Sequence, residues 1–496
     1  MSQKSEKNMA ETNPEHSFIV LANRLPVDRC EDTWQAAPGG LVSALAPMVR
    51  AERGAWLGWT GGFDETIPPF EFDQMSLVPV PLTEAEHRAY YEGFSNGVLW
   101  PLYHDLIVTP QYHRTWWRAY EAINSRFAQA AVRSAAFGAT IWVHDYHLQL
   151  VPHMIRLLRP DVRIGFFNHI PFPPVELFGQ LPWRREVVEG LLGADVIGFQ
   201  RNSDAENFRA AVRKFAVDAD APPPLIEAFP ISVDTEAIRQ AADSEAVART
   251  ATQIRRDLGD PDILMLGIDR LDYTKGIPHR LRAFDELLDD DLLSPQTTNF
   301  LQVAVPSREG IAAYQDLRDE VERLVGRING RFATLGRGIV QYSHHSYSFE
   351  DTVALYLAAD VLVVSSLRDG MNLVAKEFVT ARRNRGGALV LSEFAGAADE
   401  LEQATIVNPH DISGLKTGMH QAACLDDTHA RERIAAMAAT VEDHDVHHWA
   451  HRFLATLRAA SPLGPSMGKT AIDHHDRTPQ KMTSCESRIG SPVSLL

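Results

Sequence analysis

Two short segments concentrate groups suited to a phosphorylated ligand. In D-R-L-D-Y-T-K-G (Asp269–Gly276), Arg270 and Lys275 stand just before a helical stretch. A guanidinium grips phosphate oxygens in pairs and an ammonium adds a point charge, so together they suit a diphosphate; a solvated basic loop is the plainer alternative. In R-D-G-M-N-L-V-A-K-E (Arg368–Glu377), a glycine turn precedes a helix start, and N–H groups near Met371–Val374 can cradle phosphate. Were that whole segment helical, Asp369 and Glu377 would lie about 12 Å apart along one side, so that one carboxylate touches a sugar and the other a ribose. The alternative is a capping aspartate and a surface glutamate. P-S-R (Pro306–Arg308) adds a further arginine, Arg308.

Histidine and carboxylate gather in H-D-Y-H (His144–His147) and N-H-I-P-F-P (Asn168–Pro173). Zinc is the reading to test first, but the segment falls at a strand-to-loop transition, lacks H-E-x-x-H and offers no cysteine. Asp145 and His169 fit better as hydrogen-bond partners of sugar hydroxyls, with I-P-F-P as an apolar wall. Near the N-terminus, N-R-L-P (Asn23–Pro26) is followed by P-G-G-L (Pro38–Leu41). Gly39 and Gly40 either let backbone N–H groups approach a ligand at a helix start or simply turn the chain.

The elements that must hold these groups follow from the alternation of short Val/Ile/Phe-rich runs with amphipathic stretches, the pattern of βαβ units and parallel sheets. Strands are expected at Phe18–Ala22, Thr140–His144, Arg163–Asn168, Asp195–Gln200, Leu225–Pro230, Asp262–Ile268, Phe300–Val305, Asp360–Ser365 and Ala388–Ser392. Helices are expected at Trp183–Leu192, Asp204–Phe215, Ile277–Leu288, Glu309–Val325 and Phe349–Ala358, with Ser203-Asp204 and Ser348 as N-caps. Glu442–Ala460 reads as one amphipathic helix with Val446, Trp449, Phe453 and Leu457 on one face. Every candidate group above then follows a strand, where open α/β sheets bind ligands.

At 496 residues the chain exceeds the usual size of one core, so two domains are expected. The division runs 1–16 as a disordered N-terminus, 17–238 and 239–441 as two doubly wound α/β domains, 442–460 as the terminal helix and 461–496 as a disordered tail. The net charge of -17 disfavours nucleic acid and anionic membranes, so any anionic ligand needs a local basic pocket. Cys30, Cys424 and Cys485 are odd in number and far apart, which with the polar N-terminus and the lack of a long apolar run predicts a cytoplasmic protein. D-x-D occurs at 218–220, 260–262 and 443–445, in a linker, an interhelix turn and a helix start, none placed to hold a metal-bound nucleotide. No G-x-G-x-x-G follows the first strand, which removes a dinucleotide dehydrogenase.

Taken together, N-R-L-P, P-G-G-L, F-S-N-G-V-L-W-P (Phe94–Pro101), H-D-Y-H, H-I-P-F-P, D-R-L-D-Y-T-K-G and R-D-G-M-N-L-V-A-K-E, in that order, resemble the trehalose-6-phosphate synthases over roughly Phe18 to Ala460. The resemblance implies a GT-B fold, two Rossmann-like domains facing across a cleft, and retaining transfer of glucose from a nucleotide-glucose to glucose 6-phosphate, with no metal and no cofactor. It assigns Arg24, Tyr91, Trp100, Asp145 and Arg308 to the acceptor. It assigns Gly39, Gly40, His169, Arg270, Lys275, Tyr347, Asp369, Gly370, Met371, Asn372, Leu373, Val374, Ala375, Lys376 and Glu377 to the donor. Arg270, Lys275, Asp369, His169 and Asp145 are the implied catalytic set, and a homo-oligomer, dimer or tetramer, is implied. A non-catalytic relative would have lost Arg270, Lys275, Asp369 or Glu377, and all are present. A sister enzyme using glycerol 3-phosphate is set aside only by the acceptor-side matches.

Overall fold

The computed structural model describes residues 16–30, 33–37, 40–105, 110–216, 223–308 and 310–460. Gly39, the D-A-D at 218–220 and the tail 461–496 lie outside these residues. So does the N-terminus expected to be disordered, except that His16 already belongs to the first strand. In chain order the strands are β1 (His16–Arg24), β2 (Val27–Cys30), β3 (Thr33–Ala36), β4 (Ala55–Trp59), β5 (Phe70–Phe72), β6 (Met75–Pro79), β7 (Ala135–His144), β8 (Arg163–Phe167), β9 (Val196–Phe199) and β10 (Leu225–Ala228). They continue as β11 (Ile263–Arg270), β12 (Thr298–Val305), β13 (Val340–Ser343), β14 (Val361–Val364), β15 (Ala388–Ser392) and β16 (Thr405–Val407).

Two sheets result. The first has order β10-β9-β8-β7-β1-β4-β6-β5 and is parallel except for β5 against β6; the second, β13-β12-β11-β14-β15-β16, is parallel throughout. Helices cover the sheets, so central strands are buried on both faces and read as apolar runs, as V-L-V-V in β14 and A-L-V-L at the start of β15 do. The architecture is α/β with two parallel sheets, as expected.

Several expectations need correction. The terminal helix is two helices, Asp427–Asp443 and Val446–Ala459, because the Asp445 carboxylate caps the His448 N–H at 2.8 Å and starts a new helix. Its four apolar residues are all buried. Ser203-Asp204 is not an N-cap: the helix Asn202–Phe215 begins at the preceding Arg201, and Asp204 is buried in its first turn, accepting the Phe172 N–H. Ser348 does cap, taking the Asp351 N–H at 3.0 Å. The helix expected at Glu309–Val325 runs Ala312–Phe332, and Asp260–Asp262 turns a helix into β11 rather than joining two helices.

The last helix returns to the first sheet. Phe453 stacks on Trp142 of β7 at 4.6 Å, Trp449 meets Phe167 of β8 edge-on at 5.1 Å, and the Trp449 indole donates to the Phe229 carbonyl at 3.1 Å. No described helix is long and apolar enough to cross a membrane.

Candidate active site

The carboxyl ends of the two sheets meet around a cavity of about 270 Å³. The first half supplies Asp145 directly after β7, His169 just beyond β8, and Tyr91 and Trp100 from a widened π-helical stretch (Arg88–Leu99) and the short turn after it. The second half supplies Arg270 at the end of β11, Lys275 from the turn that follows, Arg308 after β12, and Asp369 and Gly370 after β14. Nine residues assigned from the sequence therefore converge. His104, Tyr146, His147 and Ile170 complete the wall.

Local chemistry explains these positions. Asp272 caps the turn Tyr273–Lys275 by accepting the Thr274 N–H at 3.0 Å, and Gly276 follows in the left-handed region (φ 61). A Cβ on Gly276 would lie 2.1 Å from the Ser365 carbonyl, so only glycine lets the turn sit against β14 and aim Lys275 inward. Lys275 meets the Asp369 carboxylate, which also accepts from Ser366 and Asn372. Beneath Arg270, Asp269 is held by the fully buried Arg280 at 2.7 Å. Gly370 brings the two halves into contact, since a Cβ there would lie 2.2 Å from the His169 carbonyl.

Arg308 is the most constrained cation. Its Nη1 donates to Asp272 at 3.1 Å and to the Tyr314 hydroxyl, its Nη2 reaches the Tyr146 hydroxyl at 3.2 Å, and its guanidinium lies 3.8 Å over the Trp100 ring. Burial alone would raise the Asp272 carboxyl, but the Arg308 and Arg270 charges hold it down at about 2. Asp145 shows the opposite balance: burial pushes its carboxyl up to about 6, against the Tyr146 and His169 N–H groups and the Arg270 and Arg308 charges. Burial takes His169 and His147 down to about 3 and His104 to about 4, so all three imidazoles are neutral at pH 7. The site thus combines fixed cations, one readily protonated carboxyl and neutral hydrogen-bonding rings. Among the described residues no three histidine, cysteine or acidic side chains converge as a metal site requires.

The other assigned residues lie outside the cavity lining. Arg24 pairs with Asp28 at 2.7 Å and lies 5.1 Å over the Trp59 ring. Tyr347 shares a hydrogen bond with Ser343 at 2.9 Å, and Leu373 and Val374 are half-buried against the same core. Gly40 opens the helix Gly40–Ala51. The segment Arg368–Glu377 is not helical throughout: Asn372 takes a left-handed conformation (φ 77), and the helix starts only at Leu373, with the Asn372 side chain capping the Ala375 N–H. Met371 and Ala375 are buried. Lys376 does not offer its ammonium to the cavity, because it faces the core and binds the Ile231 carbonyl at 2.9 Å and Glu400. Glu377 accepts from the Tyr356 hydroxyl at 2.6 Å.

Of the wall residues not assigned beforehand, Tyr146, His147 and Ile170 sit inside quoted motifs. His104 was findable as the residue one helical turn beyond Trp100, to whose carbonyl it bonds at 2.8 Å. Tyr314 carries no local signal.

Known proteins resemble this chain over most of its length. The profile of Glycosyltransferase family 20 matches residues 16–459. The trehalose-6-phosphate synthase of Mycolicibacterium gilvum (strain PYR-GCK) is 48% identical over 474 residues, covering 90% of this chain and 94% of that protein. That of Mycolicibacterium smegmatis is 49% identical over 471 residues, with shares of 90% and 94%. Among solved structures, the E. coli protein bound with UDP-2-fluoro glucose superposes with a TM-score of 0.82 at 31% identity, covering 90% of this chain and 99% of that one. The UDP-forming synthase of Burkholderia xenovorans in complex with glucose-6-phosphate gives a TM-score of 0.81 at 35% identity, with shares of 89% and 100%.

Proposed function

This chain belongs to glycosyltransferase family 20, and from that premise we propose that it transfers glucose, with retention, from a nucleotide-glucose to the anomeric hydroxyl of glucose 6-phosphate, giving α,α-trehalose 6-phosphate. The observation that carries the reading is the convergence of Arg270, Lys275 and Arg308 with Asp145 and Asp369 in one cavity between the sheets. Cations fixed before the ligand arrives stabilise charge that develops on a departing diphosphate, and they do so more strongly in a dry cleft than in water.

In this mechanism the bond from glucose C1 to the β-phosphate oxygen breaks as the acceptor oxygen attacks C1 from the same face. The leaving oxygen takes the acceptor proton. Arg270 and Lys275 hold the diphosphate, and Lys275 exchanges its Asp369 partner for phosphate oxygens. Asp369 then turns to the transferred glucose, and Asp145 and His169 orient the two sugars. Arg308, Tyr91, Trp100 and Arg24 bind glucose 6-phosphate, Arg308 and Arg24 at its phosphate. Tyr347 stands beside the base, and the stretch from Gly370 to Glu377 runs from phosphate to ribose, with Lys376 contributing backbone rather than charge. The division into an acceptor half (17–238) and a nucleotide-sugar half (239–441) goes with these roles. A cytoplasmic homo-oligomer acting on small molecules, without nucleic acid or membrane, completes the proposal.

The test is a product assay in EDTA, with glucose 6-phosphate and UDP-, ADP- and GDP-glucose in parallel and UDP-glucose tried first, since solved relatives are described as UDP-forming. An α,α-linked disaccharide phosphate by NMR is expected. No product with any donor would overturn the acceptor assignment and make glycerol 3-phosphate the next substrate.

A further inference from the structure

His144 ends β7, and His169 lies two residues past the end of the adjacent parallel strand β8. Their rings stack with centroids 5.3 Å apart, and His144 Nδ1 lies 3.0 Å from His169 Nε2. His169 lines the cavity, whereas His144 is fully buried behind it, against Trp142 and Phe167. The other His144 nitrogen, Nε2, is buried without a partner.

Burial depresses both rings, His144 well below its ordinary range and His169 to about 3, so two neutral imidazoles face each other. Each carries one N–H and one lone pair, and a hydrogen bond between them requires one proton between the facing nitrogens. If His169 donated, His144 would carry its own proton on the buried, unpartnered Nε2. If His144 donates from Nδ1, only a lone pair is left unpaired there. An orphaned buried N–H is the rarer and costlier defect. The second arrangement therefore wins, and it puts the His169 proton on Nδ1, the nitrogen left for the cavity.

We propose that His144 is a positioning residue that fixes His169 as the Nδ1–H tautomer, so that His169 meets the bound sugar nucleotide as a hydrogen-bond donor rather than an acceptor. The tautomer follows from the dyad alone; its use rests on the glucosyl-transfer reading. His169 stands on the donor side, since its backbone carbonyl is the group Gly370 of the second half approaches. A fixed N–H suits a sugar oxygen or a phosphate oxygen and costs no reorganisation when the ligand binds.

The experiment is two-bond ¹⁵N–¹H correlation of the full chain labelled in histidine, with the His169 signals identified by their loss in His169→Asn. The expected spectrum shows His169 protonated at Nδ1; protonation at Nε2 overturns the proposal. His144→Asn, whose amide nitrogen takes the place of Nδ1, should keep that tautomer and most of the turnover. His144→Phe should release His169 to the Nε2–H form and lower kcat about tenfold, the size of one hydrogen bond in a dry site, with KM for glucose 6-phosphate little changed. A tautomer change with no change in kcat overturns the functional half. If wild-type protein shows the Nδ1–H form but makes no disaccharide phosphate, the transfer reading fails and the dyad stands.

Discussion

Arg308 is expected to serve both the ligand and the fold, and a double-mutant cycle with Asp272 separates the two. The pair is dry, with side chains 4% and 0% exposed. The gap between the ordinary 3.8 and the value of about 2 for Asp272 corresponds to about 2 kcal/mol. Because its folded value is depressed, that stability is present above pH 3.8 and is lost as pH falls through about 2. Removing one partner of a buried pair costs about 3–5 kcal/mol. Arg270 still neighbours Asp272, so Arg308→Ala should sit near the lower end, about 3 kcal/mol. Asp272→Asn should cost about 2 kcal/mol, and the double variant about 3 kcal/mol in total, leaving a coupling of about 2 kcal/mol. Urea unfolding of the four proteins reads this. The acceptor site behaves differently: KM for glucose 6-phosphate should rise about 10- to 100-fold in Arg308→Ala and in the double variant alike, the size of a lost charged hydrogen bond. Coupling below about 0.5 kcal/mol would refute the structural pairing, and a KM restored in the double variant would refute the ligand role.

The raised Asp145 carboxyl gives a pH signature: kcat/KM for glucose 6-phosphate should rise through about pH 6, and Asp145→Asn should be low and flat once the substrate phosphate's own ionisation near pH 6 is common to both. Because its folded value is raised, ionising Asp145 costs the folded state about 3 kcal/mol, so the stability of wild type relative to Asp145→Asn should fall as pH climbs from about 4 through about 6; no such fall would contradict the burial argument. Lys275→Ala should lower kcat about 100- to 1000-fold and raise KM for the donor, and unchanged kinetics would remove Lys275 from the diphosphate site. Trp449→Ala, which empties the space against Trp142 and Phe167, should cost about 3–5 kcal/mol and lower the thermal midpoint with little effect on either KM. An unmoved midpoint would make the returning helix peripheral.

The second sheet was legible through its central strands β11, β12, β14 and β15, while its edge strands β13 and β16 escaped, for a physical reason. Strands buried on both faces, such as β14 and the first four residues of β15, are continuous apolar runs with nothing else in a window to compete with them, and in β12 only Gln302 interrupts the run from Phe300 to Val305. β4 escaped because A-W-L-G-W is interrupted by a glycine, yet Gly58 is needed there: a Cβ would lie 2.5 Å from Leu25 N. The edge strand β5 and the β2–β3 hairpin carry too few buried residues to set a period. Site chemistry was legible wherever a charged residue stands at or just past the carboxyl end of a strand, as at Asp145, Arg270 and Arg308. It was hidden where a partner arrives from far along the chain. Nothing near Tyr314 in sequence says that its hydroxyl meets Asp272, and nothing near Lys376 says that Ile231 and Glu400 claim its ammonium.

Three residues of the site, Asp145 (φ 73), Arg308 (φ 51) and Asn372 (φ 77), hold backbone conformations that side chains rarely adopt. Such conformations cost about 1–3 kcal/mol each and persist only where the surroundings over-determine them. Here the surroundings include the residues' own side chains. The Asp145 carboxylate takes the His169 N–H at 3.1 Å while its backbone N–H is tied to Phe167 at 2.8 Å. Arg308 is pinned by Asp272, and Asn372 both caps the next helix and donates to Asp369 at 3.2 Å. Glycine would relax the backbone at all three positions and remove the side chains that hold the loops and, at Asp145 and Arg308, line the cavity. The strain is therefore retained where each sheet hands the chain to the cleft, because one side chain must both fix the turn and help to build the site.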